Sequence, residues 1–331
     1  MIEIDGSYGE GGGQVLRTAL SLAAILGEDI IISNIRKNRP KPGIKPQHLA
    51  SIEAIAKICD AEVEGLHPGS KQISFSPLEI RGVDLNIDIG TAGSIPLLIQ
   101  CIMPAAIYSD TRVKLSIRGG TDVAWSPSVD YLKNVTLKAL SKMGYKSNIQ
   151  VVGRGYYPVG NGLVKMEIEP SKLKGHDFEK VSEKVSGISH CSNLPEHVAE
   201  RQASSAAEIL QDAGFECDVE TECTDYISTG SGITLWSGLA GSVSLGKRGL
   251  PAEKVGAKAA MDMLGNLKSK AAVDEHLSDQ LIPFLGLAGE GSLTTGKLSG
   301  HSRTNIWLTE QLLDIKFDIE KIEKMIRISV R

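Results

Sequence analysis

The chain of 331 residues has no cysteine pair at zinc-site spacing, and its five cysteines are odd in number and scattered. That excludes a disulfide framework or a Cys-x-x-Cys metal site as its organising device. Cys59 and Cys101 fall inside predicted apolar helices, which suits a reduced cytoplasmic setting. Long apolar runs are lacking too: Ile95 to Ile107 falls short of a membrane span. The amino-terminal residues Met1 to Gly6 have neither a basic nor an apolar signal region, so a soluble cytoplasmic protein with no membrane partner is expected. A strong positive charge is missing as well. A formal net charge of −4 argues against sequence-independent coating of nucleic acid, though it leaves room for a local cationic grip on one strand end. Aromatics are few at 5%, whereas Gly is frequent at 35 residues and hydrophobic content is an ordinary 41%. These values fit an α/β chain long enough for a large core plus a smaller domain.

A repeated order of elements is what the chain does have. Strand Met1 to Ile4, helix Gln14 to Leu26, strand Asp29 to Ile35, helix Gln47 to Cys59 and strands near Ala61 to Val63 and Gln72 to Phe75 make a βαβαββ unit. Val83 to Ile168 repeats it, with predicted helices over Ile95 to Tyr108 and Val129 to Met143. A third copy is split. Its first strand is expected near Lys174 to Phe178 and the rest over Asp274 to Val330. Between them, Lys180 to Lys270 fits no repeat; it includes a single strand expected over Gly232 to Val243. The expectation is therefore an α/β (α+β) fold. Three βαβαββ repeats stand around a pseudo-threefold axis (1–179 and 271–331), with a smaller α/β domain inserted at 180–270.

In each unit two loops precede helix N-termini, where free N–H groups favour anions, so three units can converge their polar loops on one site. The loop Ser7 to Gln14 has three consecutive glycines but no Walker signature, and Glu10 among them suits a metal or hydroxyl ligand. Arg36, Lys37, Arg39, Lys41 and Lys45, stiffened by Pro40, Pro42 and Pro46, read as a preorganised phosphate clamp with Gln47 and His48 following. Trp125, in the corresponding loop of the second unit, reads as a packing residue more than a base-stacking platform. His301 is expected on a loop ahead of a helix capped by Thr304 or Asn305, an address for an imidazole beside a phosphate. His48, His67, His176, His190 and His197 lack metal-ligand spacing.

The stretches Asp5 to Gln14 with Arg17, Arg39-Pro40-Lys41-Pro42-Gly43, Gln47-His48-Leu49 and Gly119-Gly120-Thr121-Asp122 resemble those of the RNA 3'-terminal phosphate cyclases. So do Arg154-Gly155 with Pro158 and Gly160, Leu277-x-Asp279-Gln280-Leu281 and His301-x-x-Thr304-Asn305-Ile306. The resemblance covers essentially the whole chain. It implies ATP as co-substrate, Mg2+ or Mn2+, and an RNA with a 3'-terminal phosphate as partner. It further implies that His301 takes AMP covalently before passing it to the RNA phosphate. By the same resemblance Glu10 contacts the metal, and Arg17, Arg39, Lys41 and Gln47 bind phosphate or RNA. Gln14, Gln100, Asp279 and Gln280 hold the nucleotide, and Pro127 and His276 flank adenine, with His276 standing where the family pattern has Tyr. The competing reading is a non-catalytic relative serving ribosome assembly. Such relatives lack the nucleophilic histidine, so His301, Glu10 and Arg39 favour an enzyme. An enolpyruvyl transferase, built from similar repeats, matches the motif set less well.

Overall fold

Isoleucine-rich alternation in the first unit builds a small sheet. In the computed structural model, which describes residues 1–181 and 184–331, the elements are β1 (Ile2–Asp5), α1 (Gly13–Leu26), β2 (Ile30–Ser33), α2 (Pro46–Ile58), β3 (Glu62–Glu64) and β4 (Ile73–Ser76). The sheet order is β1-β2-β4-β3, with β1 and β2 parallel and the other pairs antiparallel. The second unit runs β5 (Asp84–Asp88), α3 (Ile95–Ala106), β6 (Val113–Gly119), then a helical stretch, then β7 (Ser147–Gly153) and β8 (Gly162–Ile168). Its order, β5-β6-β8-β7, is the same. The helical stretch departs from the single expected helix: α4 (Val129–Tyr131) passes through a π turn, Leu132–Thr136, into α5 (Leu137–Lys142).

Next comes a segment with its own sheet: β9 (Val185–Ser192), α6 (His197–Asp212), β10 (Cys217–Thr224), β11 (Gly230–Ser237), β12 (Ala240–Leu245) and α7 (Ala252–Lys268). The order is β10-β9-β11-β12, and α6 and α7 pack on each other with an apolar cluster of their own. Residues 182 and 183, just inside the start of the expected insert, lie outside the described residues. The single strand expected over Gly232 to Val243 is instead a hairpin. Gly238, at φ 57°, turns the chain between Ser237 and its partner Ala240.

The third unit closes the chain with α8 (Glu275–Ala288), β13 (Ser292–Thr295), α9 (Gly300–Leu312), β14 (Phe317–Ile322) and β15 (Met325–Val330), in the order β13-β15-β14. Its expected first strand is reduced to one parallel bridge, Asp177 to Ser292. That bridge occupies the edge position that β1 and β5 fill in the other sheets, so the three orders agree. The α/β character and the three repeats are thus observed.

Helix α3 is apolar on nearly every side and packs against α1, α2 and α8, as a helix buried all round must. Its start is fixed by Ser94, whose hydroxyl accepts the Leu97 N–H at 3.1 Å. One apolar cluster joins the first unit to Leu308 and Leu312 of α9, and another joins the second and third units. No helix among the described residues is long and apolar enough to cross a membrane.

A buried ionic network joins the sheet of β9 to β12 to the second unit. Arg154, 1% exposed, donates to Asp130 at 2.7 Å, to Asp122 at 3.3 Å and to Glu222 of β10 at 2.6 Å. His190 of β9 sits 3.3 Å from Asp122, and its Nδ1 meets the Tyr156 hydroxyl at 2.7 Å. Asp122, Asp130 and His190 bring their ligand atoms within 4.8 Å of one another, but the Arg154 guanidinium already serves both carboxylates.

Candidate active site

Helix α9 begins earlier than its sequence indicates. Ser299 is the N-cap, its Oγ accepting the Ser302 N–H at 2.9 Å, and Gly300 and His301 form the first turn. His301 is therefore on the helix and not ahead of it, and Thr304 and Asn305 are buried in the second turn as packing and hydrogen-bonding groups. A Cβ at position 300 would meet the Glu10 carboxylate, which would have to shift from its place beside His301.

Two contacts define the His301 ring. Gln14 Nε2 donates to the His301 carbonyl at 3.2 Å, which fixes the orientation of that amide and turns its Oε1 toward His301 Nδ1. An amide oxygen only accepts, so Nδ1 carries the proton. Nε2 faces Glu10 Oε2 at 3.1 Å. Burial holds the His301 pKa below its ordinary value. Glu10 opposes that shift, while Arg17, Arg39 and His276 add to it.

A cleft of about 910 Å³ opens beside this ring. Its walls include Gln14, Arg17, Gln100, Pro127, His276, Asp279, Gln280 and His301, so eight of the residues picked out in the sequence come together. They arrive from α1, α3, the loop before α4, α8 and α9, which is the convergence that the repeats require. Glu10 and Arg39 adjoin it through each other (3.8 Å) and through His301. Gln47 is turned elsewhere: its Oε1 accepts the Ser94 N–H at 2.8 Å, tying the first unit to the start of α3. Lys41 stands exposed on the basic loop, and among the described residues its ammonium joins neither His301 nor Glu10.

The cleft holds unmatched polar groups. Among the described residues no carboxylate or carbonyl pairs with the Arg17 guanidinium, and burial lowers its pKa. The Asp279 carboxyl is pushed well above the carboxylate range, first by burial and then by Asp274, with Arg17 opposing. Gln100 Nε2 is buried with no hydrogen-bond partner. A buried cation and a buried donor left open on one cavity are matched by an anionic, hydrogen-bonding ligand.

Several supporting residues carry no motif of their own. Asp274 caps α8 by accepting the His276 and Leu277 N–H groups at 2.8 and 2.9 Å, and it accepts the Tyr131 hydroxyl at 2.8 Å. Its N-cap position was readable from Asp before an apolar helix. Thr136, in the π turn, donates to Gln280 Oε1 at 2.7 Å, and Asn305 donates to the Asp279 carbonyl at 2.7 Å. Thr136 had no local signal; Asn305 was marked as a cap and motif residue, and its contact to Asp279 is a role the sequence did not indicate. The segment from β9 to α7 also walls the cleft, through Ser242, Val243 and Leu245 of β12 and Met261, Asp262 and Asn266 of α7. Trp125, read as a packing residue, is 99% exposed at the cleft's edge, which corrects that reading.

Comparison with known proteins agrees with this geometry. The family model described as RNA 3'-terminal phosphate cyclase matches residues 8–319. The RNA 3'-terminal phosphate cyclase of Methanococcoides burtonii is 58% identical over 331 residues, covering 100% of both chains. That of Methanosarcina mazei is 52% identical, again over 100% of both. That of Pyrococcus furiosus is 47% identical over 97% of this chain and 95% of its own. With a match over nearly its whole length and its motif residues gathered around one cleft, the chain belongs to the RNA 3'-terminal phosphate cyclase family.

Proposed function

We propose that this protein is an ATP-dependent RNA 3'-phosphate cyclase, a cytoplasmic enzyme of the ligase class, acting in RNA processing through a covalent histidine–AMP intermediate. The observation that carries the reading is the state of His301. Its Nδ1 is engaged by Gln14, its Nε2 faces Glu10, and its cleft also holds Arg17, unpaired among the described residues, and an orphaned Gln100 amide.

His301 Nε2 attacks the α-phosphorus of ATP, the P–O bond to the β-phosphate breaks, and pyrophosphate leaves. An oxygen of the RNA 3'-phosphate then attacks the same phosphorus, displacing His301 and leaving AMP joined to the RNA. The neighbouring 2'-hydroxyl attacks the RNA phosphate, loses its proton and expels AMP, closing the 2',3'-cyclic phosphate. Adenylylation is needed because a phosphate oxygen dianion leaves poorly and AMP leaves well. Arg17 and Arg39 balance the phosphate charge, and Gln14 keeps the imidazole in the attacking tautomer and orientation. Asp279, whose burial favours the neutral carboxyl, and Gln280 serve as hydrogen-bonding groups toward the nucleotide, and Pro127 and His276 flank the adenine.

Glu10 fits a divalent metal. It is a half-exposed carboxylate beside the phosphate site, and a Mg2+ bound by one carboxylate and substrate phosphates is the usual arrangement. The metal would supply charge neutralisation of the triphosphate. Lys41 and Gln47 are assigned to the incoming RNA, and residues 180–270 to an inserted domain within a core of 1–179 and 271–331.

Incubation with α-labelled ATP and Mg2+ or Mn2+ tests the chemistry. Label is expected on wild-type protein and absent from His301→Ala, and γ-labelled ATP should leave none. An unlabelled wild type, or a mutant that labels equally, sinks the histidine–AMP route.

A further inference from the structure

Trp125 stands apart from the chain's other two tryptophans. Trp307 is half-buried and stacked on Tyr8 with ring centroids 3.8 Å apart, and Trp236 is half-buried, whereas Trp125 is 99% exposed. Its backbone is unfavourable as well: φ is 60°, in the left-handed region that bulky residues seldom occupy. An indole held wholly in water on such a backbone contributes little to folding, and strained, exposed apolar positions concentrate where ligands bind.

The surroundings show that the ring is presented and not merely loose. Ser126 Oγ donates to the Val123 carbonyl at 3.2 Å, and Asp122, at the base of the loop, is held by the buried Arg154 at 3.3 Å. Asp122 also bridges to Tyr156 in a parallel pair, which sets Tyr157, 78% exposed, on the adjoining loop. Trp125 and His301 border the same cleft.

We propose that Trp125 is the stacking platform for a nucleobase near the 3' end of single-stranded RNA, whose terminal phosphate enters the cleft toward His301. The proposal rests on the cyclase reading above. Every base has a π face, so stacking on an open indole holds a strand without reading its sequence, as an end-modifying enzyme requires. The adenine of ATP is a poorer occupant, because a mononucleotide pocket encloses most of its ligand and both faces of Trp125 are uncovered.

Fluorescence anisotropy of a short single-stranded RNA bearing a 5'-fluorophore and a 3'-phosphate tests this with the full chain. Trp125→Ala should raise the Kd about tenfold, and Trp125→Phe should recover most of the affinity. The ATP concentration giving half-maximal AMP labelling without RNA should match wild type in both. An unchanged RNA Kd in the alanine variant overturns the platform. So does a raised ATP requirement, which would make Trp125 an adenine contact, and so does a phenylalanine variant as weak as alanine, which would mark a loop-shaping residue. The two readings fail differently. Label on wild type with RNA binding indifferent to Trp125 removes the platform alone; no label, with binding still dependent on Trp125, removes the histidine–AMP chemistry and keeps the platform.

Discussion

An imidazole attacks phosphorus only through an unprotonated nitrogen, so the acid limit of the first step is set by how hard His301 is to protonate. Burial lowers its pKa below the ordinary 6.5, and Glu10 only partly opposes that. AMP labelling should stay level as pH falls from 8 toward 6.5 and decline below it; a midpoint above 7 in a pH–rate series would contradict this. His48 offers a second titration, in stability. Burial, with Arg17, Arg36 and Lys45, pushes its pKa down to about 3. Between about 3 and 6.5 the folded protein keeps His48 neutral while the unfolded chain protonates it, so stability is lost as pH falls, at about 1.4 kcal/mol per unit. His48→Gln should flatten that slope relative to wild type in urea titrations at pH 4 and pH 7, and parallel slopes would refute it. The sequence marked His48 only as a neighbour of Gln47. The structure shows its Nδ1 accepting the Lys45 N–H at 3.3 Å and its Nε2 against Gly13 and Arg17, which leaves no room for a Cβ at position 13.

At the scale of elements, the first turn of α9 is where the site is assembled. Ser299 holds that turn through the Ser302 N–H, and His301 rides on it. Ser299→Ala should cost about 1 kcal/mol in urea unfolding and slow AMP labelling as the turn frays. Unchanged unfolding together with unchanged labelling would dismiss the cap. The helix start was misjudged from sequence because Gly300, His301 and Ser302 are ordinary loop residues by local preference, and glycine is a poor helix former. Glycine there leaves room for the Glu10 carboxylate, which comes from far away in the chain. The hairpin of β11 and β12 was missed for a related reason. Gly232 to Val243 is uniformly apolar or small, and a turn at Gly238 shows in the pairing and not in the pattern.

At the scale of the whole molecule, Arg154 ties the second unit to β10 through Glu222. Burial would lower its pKa, but Asp130, Asp122 and Glu222 outweigh that and hold it well above the usual value. Asp122 is likewise held low against burial by His190, Arg154 and Thr121. Arg154→Met would strand two buried carboxylates, and roughly 3–5 kcal/mol of stability should be lost. A thermal melt within a degree or two of wild type would show the network to be dispensable.

The sequence by itself determined the elements and their repetition, because period, apolar content and glycine and proline placement are local properties that the chain carries with it. It also marked His301, Gln14, Arg17, Asp279 and Gln280, whose polar chemistry stands out beside helix starts, while Gln100 was marked only by the family resemblance. Only the tertiary structure decided which of them meet. It set Gln14 on His301 across a sequence separation of 287, turned Gln47 to the α3 N-terminus, kept Lys41 apart, and left Trp125 in water. Such pairings depend on how the three units and the β9–α7 segment pack, and burial, tautomer and an unmatched charge belong to that packing, not to any stretch of sequence.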